Sequence, residues 1–414
     1  MGTVVTMWVF LKLAARNLLR NKRRSAITFV AIGLGLALVL IFYGFIQGVD
    51  KQFTDDFIKA QTGHIQIHAQ GYREKARLMP LDIAIQDFET VTRRLKELPG
   101  VRSVAPRIRF PVVVSTGSES IGVLGLGIDP QAERDGIVAT KITQGKYLSG
   151  ERGYALIGTK LADDLGLKLG DLLTLMATTA RGALNAIDVE IGGIFTTGYS
   201  QYDDSILILS LADAQRLLRM SGQVTEIILM LDSTDQTERV ARQIQQGFSE
   251  DGLEVQTWQE LGAAIFSLLE ARRQLMAILS MVVILIAALG IVNTMLMSVF
   301  ERIREIGTLM ALGMTPGEIR GLFLLESAIL GAAGGLMGVG IGGALLKYFS
   351  VVGLTITQAS QFVNLPIGTT FYAEFSWGML AMFFVFAEGV AVLAALYPAY
   401  IASKQEPVQA LRHA

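Results

Sequence analysis

The residues that could do chemistry are few and scattered. His64 and His68 form the one close histidine pair. On an extended strand they share a face but lie roughly 13 Å apart, too far to share one zinc ion bound at about 2 Å per ligand. Their expected roles are surface or packing ones. Asp203 and Asp204 follow Thr197-Gly198-Tyr199-Ser200-Gln201-Tyr202 without the ligand spacing of an EF-hand loop, which reads as a solvated turn. Gly145-Lys146 is followed by Tyr147 and lacks the upstream glycines of a P-loop, so no stretch of this chain is built to cradle ATP phosphates. G-x-S-x-G and H-E-x-x-H are absent. With no cysteine, disulfides, zinc–thiolate sites and cysteine nucleophiles are excluded. The chain is expected to carry no catalytic residue and to bind no metal or cofactor.

What remains is electrostatic. Glu388 falls near the middle of a long apolar run, where an ionisable group costs at least a few kcal/mol unless it faces protein or water. It reads either as a coupling or gating contact between spans or as a protonated or hydrogen-bonded packing residue, set against Asn293 or a serine. Glu326 lies about two turns into another apolar run, within reach of the charged segment Glu301–Gly321.

That segment, ERIREIGTLMALGMTPGEIRG, is the organising stretch. From Glu301 to Met310, Ile303, Ile306, Leu309 and Met310 share one helical face, with Glu301, Arg302, Arg304 and Glu305 on the rest. Gly313 is suited to end the helix in a left-handed conformation. Thr315-Pro316-Gly317-Glu318 then starts another: Thr caps, Pro takes the first helical position and Glu closes a capping box. A helix, a sharp stop and a restart make a rigid handle.

The elements on either side must hold it. Hydrophobic residues make up 51% of the 414-residue chain and mean hydropathy is +0.45, which points to membrane spans plus a folded domain. The net charge of -1 gives no basic character for nucleic acid. Met1–Arg24 reads as an interfacial helix ending in the basic cluster Asn21-Lys22-Arg23-Arg24. Spans are expected over Ser25–Ile46, Gln274–Phe300, Ile319–Phe349 and Ser376–Ile401, each long enough to cross about 30 Å of hydrocarbon. In the third, Gly331, Gly335, Gly338 and Gly342 form rows that let helix backbones approach. Gln47–Arg273 is a soluble domain mixing strands and helices, read as one α+β subdomain interrupted by a β-rich insertion at about 129–210. Ser350–Phe375 is an outer loop, Glu301–Glu318 the handle and Ala402–Ala414 a tail. The basic cluster before the first span sets the N-terminus in the cytoplasm, and Arg302, Arg304, Arg320, Lys404 and Arg412 agree. The expected fold is a membrane α-helical protein of four transmembrane helices with a large extracytoplasmic α+β domain.

Along nearly its whole length the sequence resembles the MacB/FtsX-type permeases, the type VII ABC transporter membrane subunits, and within them the lipoprotein-releasing (Lol) branch. The carriers are Leu13-Ala14-Ala15-Arg16-Asn17-Leu18-Leu19-Arg20, Gly63-His64-Ile65-Gln66-Ile67, Glu301-Arg302-Ile303-Arg304-Glu305-Ile306-Gly307 with Ala311-Leu312-Gly313, and Pro398-Ala399 through Ala410-Leu411. The resemblance implies that the handle is a coupling helix seated in a separate cytoplasmic ABC ATPase, with Glu301, Arg302, Arg304, Glu305 and Gly313 matching its motif. The ATPase, not this chain, would use ATP and Mg. It implies a porter-like external subdomain, pairing with a second or sister permease, and residence in the bacterial inner membrane with the large domain periplasmic. Motion would be passed on without substrate crossing the membrane. The Lol branch extracts lipoproteins, with a periplasmic chaperone or adaptor as a further partner. The MacB branch exports through an adaptor and an outer-membrane channel, and FtsX-like relatives regulate extracytoplasmic enzymes. A secondary transporter is disfavoured by the small number of spans and the lack of inverted repeats.

Overall fold

A computed structural model describes residues 12–14, 16–17, 20, 22–134, 136–197, 200–248, 251–355 and 370–405. The expected interfacial helix lies largely outside these residues, as do most of the outer loop and the tail. The chain forms two compact units, one of residues 51–267 and 355–370, the other of 1–50, 268–354 and 371–414.

In the α/β unit, helix α1 (Lys22–Phe57) gives way to one π-helical turn, Ile58–Thr62. Gly63 stops it with φ +63°, and a Cβ there would sit 2.3 Å from Ile228 Cγ2. Then follow β1 (Ile65–Ala69), α2 (Phe88–Lys96), β2 (Val101–Ser115), β3 (Ser120–Ile128), β4 (Ile142–Gly145) and β5 (Tyr154–Gly158). Next come α3 (Thr159–Asp164), β6 (Leu172–Thr178), β7 (Leu184–Phe195), α4 (Ser200–Ser205) and β8 (Ile206–Ser210). The unit finishes with α5 (Leu211–Leu218), β9 (Glu226–Leu231), α6 (Thr237–Gly247) and β10 (Leu253–Thr257). The surface helices bury one stripe each, Val91 and Leu95 on α2 and Val240, Ala241 and Ile244 on α6.

The strands run β10-β1-β9-β2 antiparallel, and β2 continues into a closed circuit, β2-β3-β8-β5-β7-β6 and back to β2. Two of its pairings are parallel, β3 with β8 and β5 with β7. The expected inserted subdomain therefore has no sheet of its own. β2 and β3, which precede it in sequence, complete its barrel, and closure hides strand edges that would otherwise expose unpaired backbone groups. β2 pairs with β9 over Val101–Arg107 and with β6 over Val113–Ser115, so one strand belongs to both parts.

Of the two expected roles for His64 and His68 the structure shows packing, while the expected solvated turn at Asp203 is corrected. β1 is buried on both faces. Its polar side chains are paired inside: Gln66 Nε2 donates to Glu226 Oε2 at 2.7 Å, and His68 Nδ1 lies 2.9 Å from the Thr225 carbonyl with its ring stacked on Tyr72. His64 Nδ1 accepts from the Leu231 N–H at 3.1 Å, which leaves Nε2 to carry the proton toward Thr234 Oγ1 at 3.3 Å. Asp203 is not in a solvated turn. It is buried, and its Oδ1 accepts from both the N–H and the hydroxyl of Thr197 at 2.8 Å. Asp204 pairs with Lys160.

The helical unit holds α1 up to Asp50, most of α7 (Ala263–Glu301), α8 (Ile303–Ala311), α9 (Pro316–Val352) and α10 (Trp377–Ser403). Among the described residues, four helices are long and apolar enough to cross a membrane. Asp50 on α1 is buried and ion-paired with Arg272 and Arg273 of α7. α9 is the centre. Gly334, Gly338 and Gly342 face α1, and a Cβ on Gly338 would lie 2.7 Å from the Gly33 carbonyl oxygen. Gly331, Gly335 and Gly343 face α10, against Ala391, Phe384 and Leu380. Two glycine rows on one helix let both neighbours approach its backbone. Most of α7's apolar surface, including Leu275, Met281, Leu285 and Leu289, is exposed in this single chain.

Gly338→Val must push α9 off α1 and is expected to destabilise by about 1–3 kcal/mol, as overpacking does. Gly340→Ala, which meets nothing within 4 Å, should leave the thermal midpoint in detergent unchanged. Burial holds the His64 and His68 imidazoles below their usual 6.5. A lowered folded-state pKa gives stability that is complete above the unfolded value and is lost as pH falls below it. Protonating His64 also turns Nδ1 into a donor facing the Leu231 N–H. Hydrogen exchange at the Leu231 amide, corrected for intrinsic rate, should therefore speed up as pH drops below about 6.5, and His64→Gln should flatten that dependence.

Candidate functional site

The handle is a break between two helices. Arg302 leaves helical geometry at φ −114° and ψ 18°, ending α7 and starting α8. α8 turns Ile306 and Gly307 inward, with Ile303, Leu309 and Met310 partly covered. Ile306 packs in one apolar cluster with Ile319, Phe323, Ala399 and Ala402, from α9 and α10. Gly313 then stops the chain at φ +103°, with nothing within 4 Å of a built Cβ, so backbone angle rather than space requires glycine there. The restart has both halves of its capping box: Thr315 Oγ1 accepts from Glu318 N–H at 3.3 Å, and Glu318 Oε2 accepts from Thr315 N–H at 2.7 Å.

An ion-pair network fixes this elbow from the inside. Arg302 is 7% exposed, and its Nη1 donates to both oxygens of Glu326, itself 2% exposed, at 3.0 and 3.1 Å. Its Nε donates to Glu305 Oε2 at 3.0 Å, and its guanidinium lies 5.6 Å from the centre of the Phe323 ring. Asn17 Nδ2 donates to Glu326 Oε1 at 2.7 Å, and Arg20 pairs with Glu305. Burial opposes charge on Glu305, but hydrogen bonds from Arg20 and Arg302 outweigh it and hold the carboxyl below its usual range. The segment before the first span, α8 and α9 are thus tied at one point.

The sequence-expected residues divide by position. Arg302 faces inward to Glu326, and Glu305 is half-buried between Arg302 and Arg20. Glu301 and Arg304 are exposed, as is Gly313 at the stop. Leu312 was not singled out from sequence. It is 80% exposed at the tip of the elbow, beside exposed Gly313, Thr315, Pro316 and Gly317. Only its position one residue before the glycine stop hinted at this. Asn17 and Arg20 were also missed, although both lie in the motif Leu13–Arg20.

Glu388 and Asn293 are not brought together. Asn293 is exposed on α7. Glu388 is partly covered on α10, packed against α9 where a Cβ on Gly331 would meet its Oε2 at 2.7 Å. That oxygen is buried and has no hydrogen-bond partner among the described residues. Nor does the nearby Ser327 serve it, since its hydroxyl donates to the Ala391 carbonyl at 2.7 Å. No group of three or more metal-ligating side chains occurs among the described residues.

Truncating Arg302 strands Glu326 as a buried carboxylate. Arg302→Ala should cost about 3–5 kcal/mol, read as thermal or denaturant stability of the purified protein. The double change Arg302→Met/Glu326→Leu should recover most of it, because it removes the unpaired charge.

Known proteins resemble this chain along nearly its whole length. Residues 25–247 match the family described as MacB-like periplasmic core domain, and residues 277–407 match the FtsX-like permease C-terminal family. The chain is 26% identical over 415 residues to the lipoprotein-releasing system transmembrane protein LolC of Xylella fastidiosa, covering 95% of this chain and 97% of that one. It is 25% identical to the ABC transporter permease YknZ of Bacillus subtilis, covering 97% and 98%. To the macrolide export ATP-binding/permease protein MacB of Bdellovibrio bacteriovorus it is 23% identical, covering 96% of this chain and 60% of that one. Among solved structures, the periplasmic region of MacB from Actinobacillus actinomycetemcomitans matches 50% of this chain and 95% of its own at 13% identity and TM-score 0.36. The family matches and near full-length relatives together place the chain among the ABC transporter permeases of the Lol, MacB and FtsX type, membrane proteins with a MacB-like periplasmic core domain.

Proposed function

We propose that this chain is the membrane subunit of a mechanically coupled ABC transporter that extracts or exports lipoproteins or other amphiphiles. A separate ATPase subunit hydrolyses ATP with Mg and drives it through the elbow. The observation that carries this reading is the elbow's construction. Arg302 and Glu326 lock it from within, while the far side presents Leu312 with Gly313, Thr315, Pro316 and Gly317 to a partner. An exposed leucine on a rigid, capped turn is an anchor for an apolar pocket. Exposed Glu301 and Arg304 flank it with charge.

The elbow lies on the cytoplasmic side, with both termini, and the α/β unit lies in the periplasm of a bacterial inner membrane. Lys22, Arg23 and Arg24 before α1, Arg302, Arg304 and Arg320 at the elbow and Lys404 after α10 support that orientation. The amphiphilic substrate is supported by the near full-length likeness to LolC. A second permease copy or a sister chain would cover the exposed face of α7.

Leu312→Asp should cut co-purification with the cognate P-loop ATPase at least tenfold while leaving the thermal midpoint of the permease unchanged. Release of a triacylated lipoprotein from proteoliposomes should fall in parallel. Since the chain has no cysteine, Leu312→Cys gives a single labelling site. Labelling of that site from outside intact spheroplasts, or full ATPase capture by Leu312→Asp, would refute the reading.

A further inference from the structure

The π-helical turn Ile58–Thr62 ends α1 at the point where the chain enters the barrelled unit. π turns are rare, and each leaves the helix one residue out of step. Here the Gly63 N–H bonds to the Ile58 carbonyl at 2.8 Å, an i to i+5 bond. The His64 N–H, which would serve the Ala60 carbonyl in an α-helix, is committed to Leu229 at 2.9 Å. Ala60 is 6% exposed, so its carbonyl has neither that backbone donor nor bulk water, and a buried carbonyl needs a donor. The Tyr202 hydroxyl supplies it at 2.5 Å. Tyr202 is 5% exposed, and burial pushes its hydroxyl up to about 12, so it remains a donor. Its ring packs among Leu126 and Ile128 of β3, Phe195 of β7 and Ile206 and Ile208 of β8, in the barrel wall. Gly63 leaves the helix at positive φ, in a place where any Cβ would strike Ile228, so the chain turns away from helical geometry directly after the π turn. Relaxing the π turn to α would swing the Ala60 carbonyl by roughly 100°, one residue's rotation, away from Tyr202.

We propose that Tyr202 is a positioning residue for transport: its hydroxyl grips the π-turned carbonyl of Ala60 and makes the barrel follow the end of α1. This rests on the reading of the chain as a force-transmitting permease. The test uses the full chain in lipid nanodiscs with its ATPase, spin-labelled at Lys59→Cys and Arg181→Cys, both exposed positions. Tyr202→Phe should at least double the width of the label–label distance distribution without nucleotide. It should also reduce the shift seen on adding ATP to less than a third of the parent's. Tyr202→Met, equally without a donor, should do the same. Ile206→Ala, which loosens the same cluster but keeps the hydroxyl, should lower the thermal midpoint and leave the width unchanged. An unchanged width in both Tyr202 variants, or equal broadening in Ile206→Ala, overturns the proposal. A parent chain with no ATP-dependent shift, whose width still doubles in Tyr202→Phe, would sink the permease reading and leave the Tyr202 link standing.

Discussion

A guanidinium and a carboxylate buried against each other between α8 and α9 are the constraint on which the helical unit depends. Such a pair adds little net stability, because desolvation consumes most of its attraction. Its value is in what it forbids. Any arrangement that separates Arg302 from Glu326 leaves two charges in an apolar setting, so the angle between α7, α8 and α9 has one inexpensive solution. The glycine stop and capping box then act on a segment already fixed in direction, and Leu312 is held outward because Ile306 is held inward.

The α/β unit uses the same logic with neutral groups. Tyr202 and the Ala60 carbonyl are both buried, and each is the other's partner. His64 ties β1 to β9 and to the turn after it through one ring whose two nitrogens have different tasks. Asp203 holds Thr197 by two bonds. In each case a buried polar group bonded to specific partners fixes register more sharply than apolar contact does, since apolar packing tolerates small slips.

Much of this could be read from the chain. Four long apolar helices, the Ile306 face of α8, the turn at Gly313 and the Thr315–Glu318 capping box all follow from local spacing. The glycine rows of α9 were visible as rows, but not that Gly334 and Gly343 also take part or that the rows face two different helices. What stayed hidden was non-local. Nothing near Val101–Ser115 says that this strand pairs with both β9 and β6, so the barrel looked like a separate insertion. Asp203 resembles a surface residue until its bonds to Thr197 are seen. Glu326 was legible as a group within reach of the handle, but not that Arg302, among the like charges of its motif, is the one that turns inward to meet it. Leu312 has the opposite disguise, an apolar residue that composition assigns to a core.

The shared strand β2 has a mechanical meaning. Its 15 residues extend about 50 Å at roughly 3.3 Å per residue. Rooted in the open sheet at one end and built into a closed barrel at the other, it gives both parts one continuous backbone, and neither part can be displaced from the other without breaking ladder bonds of a strand they share.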